Sequence, residues 1–430
     1  MGTVSWAEAV SGNWSDAADW KTGKVPGESS AVRIAVPGTY TLTLDVPATI
    51  ASLAISDTGA TFDISNPLTV SGITNLTGGT MEVAVGGTIT GGTIEVGGDA
   101  RLDGDGGTLA GVTVDGALGL NATDGSLTIA DGITFDGVDG TGPGAINLSG
   151  NGASLMVEGT TTLDNATITI SSNLATTTLA AEGDGTPAIL TLGSSLSIVD
   201  SGGGVLLTDG GDAGDGIVNL GTITDANAGG LFEIDGNSFT NDGSMTAYEV
   251  DIDSDNAFNS GNISVFVFGL LELNSESATN SGGISAPEYG TVAFNGTNFT
   301  NTGDLAASDA STLEANGANF TNSGSVTVSD TGVLEINGGS FDNTDSGSLT
   351  FDSTSTLEIA NGATLTNAGT INFANGATLE LSNDGTLTTA QLLAIVQYVA
   401  SGPRSQPSSS MMAPISITAA RHSTSVPAPA

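Results

Sequence analysis

Apolar and polar residues alternate along most of this chain, and from Leu271 onward the alternation repeats about every 21 residues. Each repeat begins with a short strand-like segment, such as Leu334-Glu335-Ile336, in which two aliphatic residues flank an acidic one. The first residues of these segments are Leu271, Val292, Leu313, Leu334, Leu357 and Leu379. Strict alternation over a few residues is typical of β-strands, and a fixed period of this size indicates a solenoid built from stacked coils.

A second recurring position carries asparagine and runs in phase with the first. Asparagine follows a Phe-Thr or similar pair, as in Phe320-Thr321-Asn322, and a glycine such as Gly324 follows two residues later. The asparagines of this column are Asn241, Asn259, Asn280, Asn301, Asn322, Asn343 and Asn367. Asn and Gly are the residues that most readily adopt a positive φ, which predicts a turn at a recurring corner. We expect the stacked amides to hydrogen-bond from coil to coil.

These patterns predict an all-β protein, a single-stranded parallel β-helix with about 21 residues per coil. Residues 71–387 form the β-helix, with irregular Gly-rich coils over 71–216 and regular coils over 217–387. Residues 1–70 form an N-terminal β cap that holds all three tryptophans. Exposed ends of a solenoid pair with other chains unless they are covered, so we interpret this aromatic segment as a lid.

The C-terminal part departs from the repeat. Residues 388–400 carry an apolar face at helical spacing behind Thr388, which predicts a short capping helix. Residues 401–430 are rich in Pro and Ser and have no periodicity, which is typical of a disordered tail.

Charge narrows the range of partners. The 430 residues include 47 Asp and Glu against 6 Lys and Arg, a formal net charge of −41, and no cysteine. Nucleic-acid binding requires a basic surface, so no nucleic-acid partner is expected, and anionic membranes are disfavoured for the same reason. No apolar run is long enough for a membrane span. The remaining partners are divalent cations, neutral glycans and basic proteins, and stability must come from stacking rather than from disulfides.

Alternation predicts that the acidic residue of each repeat points away from the core. Stacking then forms a column of Glu233, Asp251, Glu272, Ala293, Glu314, Glu335, Glu358 and Glu380. Two unit charges about 5 Å apart repel by about 0.8 kcal/mol in water and about 3 kcal/mol at an effective dielectric near 20. The side chains either extend into water, take up protons or bind bridging calcium ions. Ala293 interrupts the column, which favours a solvated, repulsive face over a strict calcium ladder.

The densest acidic cluster is Asp251, Asp253 and Asp255. Its spacing resembles the start of a calcium loop, but Asn256 and Asn262 stand where that loop has Gly and Glu. On a strand, Asp251 and Asp253 would share one face about 7 Å apart, within the range of an inverting glycoside hydrolase. These two residues are therefore the weak catalytic candidates, and the cluster and the glutamate column are the weak metal candidates.

The N-terminal segment resembles the leader unit of bacterial secreted β-strand-repeat proteins, a class that includes autotransporter passenger domains and large β-helical adhesins. The residues that carry the resemblance are Gly12-Asn13-Trp14-Ser15-Asp16-Ala17-Ala18-Asp19-Trp20, Val25-Pro26-Gly27 and Gly38-Thr39-Tyr40-Thr41-Leu42-Thr43-Leu44-Asp45. The resemblance implies a right-handed helix and an extracellular or cell-surface location in bacteria.

We therefore expect an adhesive or structural rod without catalytic activity and without a cofactor other than calcium. Its partners would be glycans or proteins of a host or neighbouring cell, or further copies that associate through solenoid ends or faces. One alternative is a polysaccharide-active β-helix, either a glycoside hydrolase with paired carboxylates or a phage-type spike. The other is a calcium-dependent surface-layer or matrix component.

Overall fold

The computed structural model describes residues 2–183, 185–317, 319–387 and 416–419 of the 430-residue chain. The protein is an all-β parallel β-solenoid with about 21 residues per turn, which confirms the predicted fold class. It divides into two compact units, residues 1–238 and residues 239–430.

The first unit is built from short strands, each paired in parallel with a strand one coil away. Its two short 3-10 helices are Ala17–Asp19 and Val138–Gly140. Its strands are β1 (Gly2–Ser5), β2 (Gly12–Asn13), β3 (Ser30–Ile34), β4 (Tyr40–Leu44), β5 (Ala48–Ile50), β6 (Ser52–Ile55), β7 (Ala60–Ile64), β8 (Pro67–Val70), β9 (Ile73–Leu76), β10 (Thr80–Ala84), β11 (Thr88–Thr90), β12 (Thr93–Val96), β13 (Arg101–Asp105), β14 (Gly107–Asp115), β15 (Ala117–Leu120), β16 (Ser126–Asp136), β17 (Gly144–Leu148), β18 (Ser154–Glu158), β19 (Thr161–Leu163), β20 (Ala166–Ile170), β21 (Thr177–Glu182), β22 (Ile189–Leu192), β23 (Ser197–Asp200), β24 (Val205–Thr208), β25 (Gly216–Asn219), β26 (Thr222–Asp225) and β27 (Phe232–Asn241), which continues past residue 238.

The second unit repeats one coil pattern more regularly, as the constant spacing of its motifs predicts. Its strands are β28 (Ser244–Asn259), β29 (Asn262–Leu273), β30 (Ser277–Asn280), β31 (Gly283–Ala286), β32 (Thr291–Phe294), β33 (Asn298–Asn301), β34 (Asp304–Ala307), β35 (Thr312–Asn316), β36 (Asn319–Asn322), β37 (Ser325–Val328), β38 (Val333–Asn337), β39 (Ser340–Asn343), β40 (Ser348–Phe351), β41 (Thr356–Ala360), β42 (Thr364–Asn367), β43 (Thr370–Phe373), β44 (Thr378–Leu381), β45 (Thr386–Leu387) and β46 (Ser416–Ala419).

The core lies inside the coils and follows the sequence alternation. In β38, Leu334 and Ile336 are buried while Glu335 between them faces outward. Phenylalanines stack within the second unit, and the ring centroids of Phe320 and Phe341 lie 4.4 Å apart. Full burial of such a side chain contributes roughly 1.5–3 kcal/mol, so each coil is stabilised mainly by the coils on either side of it.

The three tryptophans form a buried cluster near the start of the first unit. Trp6 and Trp14 each pack edge-to-face against Trp20, and Trp14 stacks on Phe62 with a centroid distance of 5.6 Å. All three indoles are at most 1% exposed. These residues therefore pack onto the core of the first coils, and their role as a terminal lid stays a prediction.

The glycines that follow the asparagine column have a different role from the one predicted. None of the described asparagines and glycines of that repeat has a positive φ. A Cβ added to Gly282 would lie 2.0 Å from the carbonyl oxygen of Gly261, and one added to Gly303 would lie 2.2 Å from that of Gly282. Glycine is needed here because the backbones of successive coils touch, so the prediction of a positive-φ corner at this position was wrong.

The predicted helix over 388–400 lies outside the described residues, as does most of the predicted tail over 401–430. The described part of the tail is the strand Ser416–Ala419, which pairs in parallel with Thr378–Leu381.

Candidate functional site

The second unit brings the predicted carboxylates into one column. Direct partners across its paired strands are, in order, Asp251, Glu272, Ala293, Glu314, Glu335, Glu358 and Glu380. Glu233 belongs to the first unit, where it pairs with Leu206. The register predicted from the repeat is therefore correct for every described member of the second unit, including the interruption at Ala293.

These carboxylates are half-buried rather than fully solvated, because a second asparagine ladder runs beside them. Asn274 donates a hydrogen bond of 2.6 Å to Oδ1 of Asp251, and Asn295 donates one of 3.1 Å to Oε1 of Glu272. The amides also bond to one another along the ladder of Asn274, Asn295, Asn316, Asn337 and Asn361. Amide donors thus balance part of the negative charge along the column.

Sequence reasoning missed this outer ladder, although the signal was present. The fourth residue of the segments that start at Leu271, Val292, Leu313 and Leu334 is always asparagine. An amide beside a carboxylate at a fixed offset predicts a hydrogen bond between them once the coils stack in register.

Glu335 has a glutamate on both neighbouring coils and shows the effect of crowding. Burial raises the pKa of Glu335, and the carboxylates of Glu358 and Glu314 raise it further. Repulsion between neighbouring carboxylates in the column therefore favours the protonated form of Glu335.

Replacing Glu335 with glutamine is expected to stabilise the second unit at pH 7.5 by about 0.5–1 kcal/mol, a small value because the side chain is partly solvated. The folded state holds the Glu335 proton more tightly than the unfolded chain, so stability falls as pH rises above the usual glutamate range, near 4.5. Urea unfolding at pH 4 and pH 7.5 measures the difference. Glu276→Gln, which removes an exposed carboxylate outside the column, is the control; equal gains for both variants would contradict the prediction.

The acidic cluster at Asp251, Asp253 and Asp255 lies within the strand Ser244–Asn259 rather than in a loop. Asp251 is half-buried, while Asp253 and Asp255 are exposed. Ile252 and Ser254 point inward, so the three carboxylates share the outer face, as predicted for Asp251 and Asp253. Among the described residues, no group of three or more His, Cys, Asp or Glu side chains is arranged to hold a metal ion. The calcium and glycosidase hypotheses for this cluster stay predictions.

A second acidic column lies in a groove of the first unit. Glu95 pairs directly with Asp115, which pairs with Asp136 on the next coil. Asn75 donates a hydrogen bond of 2.9 Å to Oε2 of Glu95. The groove is lined by Asn75, Glu95, Asp115 and neighbouring residues, including Val138 of the second 3-10 helix. Sequence reasoning missed this column, although Glu95, Asp115 and Asp136 follow one another at steps of 20 and 21 residues.

Burial and neighbouring charge both act on the Asp115 carboxyl of this groove. Burial raises the pKa of Asp115, and the nearby carboxylates of Asp136 and Glu95 raise it further. Glycoside hydrolysis requires a pair of carboxyl groups, one as acid and the other as base or nucleophile, and a raised pKa favours the acid role. The groove is thus a better catalytic candidate than Asp251 and Asp253.

Two aspartates are buried in the core of the first unit. Asp200 is 1% exposed and Asp225 is fully buried, and the two residues are direct partners on adjacent coils. Burial is the main cause that raises the pKa of Asp200 to about 6, and the neighbouring Asp225 carboxyl adds to it. Each carboxyl also accepts a 2.9 Å hydrogen bond from a backbone amide, that of Gly202 for Asp200 and that of Asn227 for Asp225.

One corner of the second unit exposes aromatic side chains. Phe268 is 73% exposed and Tyr289 is 59% exposed, and their rings stack with centroids 5.0 Å apart. Beside them the rings of Tyr248 and Phe266 lie 4.8 Å apart. Sequence reasoning missed this corner, although Tyr289 follows Phe268 by one 21-residue period.

No described helix is both apolar and long enough to cross a lipid bilayer. No protein-family model, curated protein sequence or solved structure matches this chain significantly. A function for this chain must therefore be inferred from its fold and from the geometry of its surface columns, groove and aromatic corner.

Proposed function

We propose that this chain is a non-catalytic adhesive or structural β-solenoid module of a secreted or cell-surface bacterial protein. The observation that carries the proposal is that the repeated polar residues bond between coils and do not form one local site. In the second unit, asparagine side chains form ladders that join one coil to the next beside a column of carboxylates, instead of converging on a single point. A repeated face of this kind suits contacts spread over many coils.

The composition supports an extracellular location. The chain contains no cysteine and carries a net charge of −41. A stack held by buried aliphatic columns and amide ladders needs no disulfide, and a strong single-sign charge keeps extended surfaces soluble. We propose neutral glycans or basic proteins on neighbouring cells as partners, with self-association through solenoid faces as a further mode.

A second candidate function, hydrolysis of polysaccharides, is favoured by the groove of the first unit. Glu95 and Asp115 are direct partners on adjacent parallel strands, which places their backbones about 5 Å apart. Carboxyl groups about 5–5.5 Å apart are typical of the retaining mechanism, in which one serves as nucleophile. Asp115, with its raised pKa, would act as the acid, and Glu95, held by Asn75, would act as the nucleophile.

One experiment separates these functions: the purified chain is applied to an array of neutral oligosaccharides, and the supernatant is analysed for new reducing ends. The adhesive proposal predicts saturable binding without product. Release of product that is lost in both Glu95→Gln and Asp115→Asn would overturn it in favour of hydrolysis.

The same preparation is then titrated with calcium and followed by light scattering and thermal melting. The proposal predicts that calcium and a chelator give the same particle size and melting temperature. Calcium-driven growth of particles would instead support a surface-layer or matrix component. A calcium-dependent rise in melting temperature that Glu314→Gln and Glu335→Gln remove would assign bridging ions to the column.

A further inference from the structure

The exposed aromatic corner of the second unit lies outside every column that holds the coils together. Phe268 and Tyr289 present two stacked rings to solvent, with an interplanar angle of 11°. An aromatic pair exposed to water does not contribute the free energy that its burial would supply. The chain has only 13 Phe and 4 Tyr, and the two at this corner therefore do not stabilise the fold by burial. Exposed apolar patches rimmed by polar residues mark interaction sites.

The backbone of this corner holds the rings outward. Phe268 has φ 63° and Tyr289 has φ 64°, in the left-handed region that non-glycine residues avoid. Ala310 and Thr331 occupy the same position on the next two coils with φ 63° and 66°. The conformation is therefore a property of the corner, and the aromatic residues on two of its coils are an additional feature that the fold does not require.

Backbone hydrogen bonds join successive coils in register at this corner. The amide of Phe268 donates to the carbonyl of Glu288 at 3.1 Å, and that of Tyr289 donates to the carbonyl of Asp309 at 3.0 Å. The amide of Ala310 donates to the carbonyl of Asp330 at 2.9 Å. The residues before Tyr289, Ala310 and Thr331 are thus Glu288, Asp309 and Asp330, all of them exposed carboxylates.

The aromatic stack stops at a small residue. Phe268 covers one face of the Tyr289 ring, and the next coil contributes only the methyl group of Ala310 at the corresponding position. Adjacent coils are about 4.8 Å apart, close to the 5.0 Å separation of the two rings, so the space beside Ala310 accommodates one more flat group. Asp309 and Asp330, both exposed, directly precede Ala310 and Thr331 in the chain.

We propose that this corner binds an arginine side chain of a basic partner protein. A guanidinium group stacks on the open face of Tyr289, beside Ala310, and is paired with the carboxylates of Asp309 and Asp330. Arginine fits because its planar cation stacks on aromatic faces and pairs with carboxylates in a fork geometry. The net charge of −41 favours a cationic partner and repels an anionic one. This inference rests on the proposed adhesive function and names its partner class.

The test uses the full chain and a fluorescent six-arginine peptide, with a six-lysine peptide for comparison, at physiological salt. The arginine peptide is expected to bind more tightly than the lysine peptide. Tyr289→Ala is expected to weaken its binding by about 5- to 30-fold, the factor that corresponds to a cation–π contact of roughly 1–2 kcal/mol, and Tyr289→Trp to preserve or strengthen it. Asp309→Asn with Asp330→Asn should weaken the binding further.

The matched control is Glu276→Gln with Glu249→Gln, which removes two exposed carboxylates outside the Asp309–Asp330 pair. Equal weakening by the control pair and by the Asp309 and Asp330 pair, with no effect of Tyr289→Ala, would reduce the interaction to general charge attraction and overturn the proposal. Binding of neutral oligosaccharides that Tyr289→Ala abolishes, without arginine-peptide binding, would assign the corner to sugars instead. Either failure leaves the adhesive function standing, since surface binding without turnover tests that function independently.

Discussion

Replacing Asn301 with alanine is expected to destabilise the second unit by about 2–5 kcal/mol, because it interrupts the inner asparagine ladder at a fully buried position. In this inner ladder, side-chain amides bond from coil to coil along Asn241, Asn259, Asn280, Asn301, Asn322, Asn343 and Asn367. The Asn301 amide donates to Oδ1 of Asn322 at 2.8 Å and to the carbonyl of Gly303 at 3.1 Å, and its own Oδ1 accepts from Asn280 at 2.8 Å. Alanine removes these three bonds and a fourth, which the Asn301 amide donates to the carbonyl of Ser325 at 3.3 Å. It leaves polar groups of the neighbouring coils buried without these partners, which costs more than the bonds themselves contribute.

The measurement is denaturant unfolding followed by far-UV circular dichroism and by tryptophan fluorescence. All three tryptophans lie within residues 1–238, so their fluorescence reports on the first unit, while circular dichroism reports on the strands of both. Asn298→Ala is the matched control, since Asn298 lies on the same strand but is exposed and accepts only a 3.2 Å bond from Asn319. A loss for Asn301→Ala no larger than that of the control would show that the ladder does not stabilise the stack.

Replacing Asp200 with asparagine is expected to stabilise the first unit by about 2–3 kcal/mol at pH 7.5 and to have little effect at pH 4. The pKa of Asp200 is raised from 3.8 to about 6 in the folded protein. The folded state therefore binds this proton more tightly than the unfolded chain, and stability decreases as pH rises from near 3.8 through about 6. Asparagine keeps an acceptor for the Gly202 amide and cannot ionise beside Asp225.

Tryptophan fluorescence during urea unfolding, recorded from pH 4 to pH 7.5, measures this effect in the unit that holds the aspartate pair. Asp99→Asn removes one exposed carboxylate from the same unit and controls for the general relief of negative charge. The wild-type chain should lose stability across this range, and the Asp200→Asn variant should lose less. Parallel pH profiles for the two variants would refute a buried, proton-holding aspartate.

Periodicity in the sequence accounts for the fold and for the acidic column. Leu334, Glu335 and Ile336 recur at nearly constant spacing, and a constant spacing can be converted directly into strand register. The asparagine column was predictable for the same reason, because identical amides at one position bond to each other once they stack.

The remaining sites could not be predicted from the repeat spacing, because they depend on loop lengths and on backbone contacts. Asp200 and Asp225 are direct partners although 25 residues separate them, because loops of irregular length intervene in the first unit. The tight approach of Gly282 to the coil before it is a backbone contact that composition attributes to turns. The aromatic corner keeps the 21-residue spacing, but Phe268 and Tyr289 are followed there by Ala310 and Thr331, so no residue type recurs to mark the position.

Successive coils present the same side chains to the inner asparagine ladder, so a whole coil can be gained or lost in evolution without changing the contacts between its neighbours. Residues Asn298-Phe299-Thr300-Asn301 recur unchanged as Asn319-Phe320-Thr321-Asn322 one coil later, with the same hydrogen bonds on each side. Loss of residues 298–318 would therefore join a coil to a neighbour that presents the same amide and the same ring. Recombination between such identical segments alters the number of coils, and with it the distance over which the module reaches, while the chemistry of each junction stays the same.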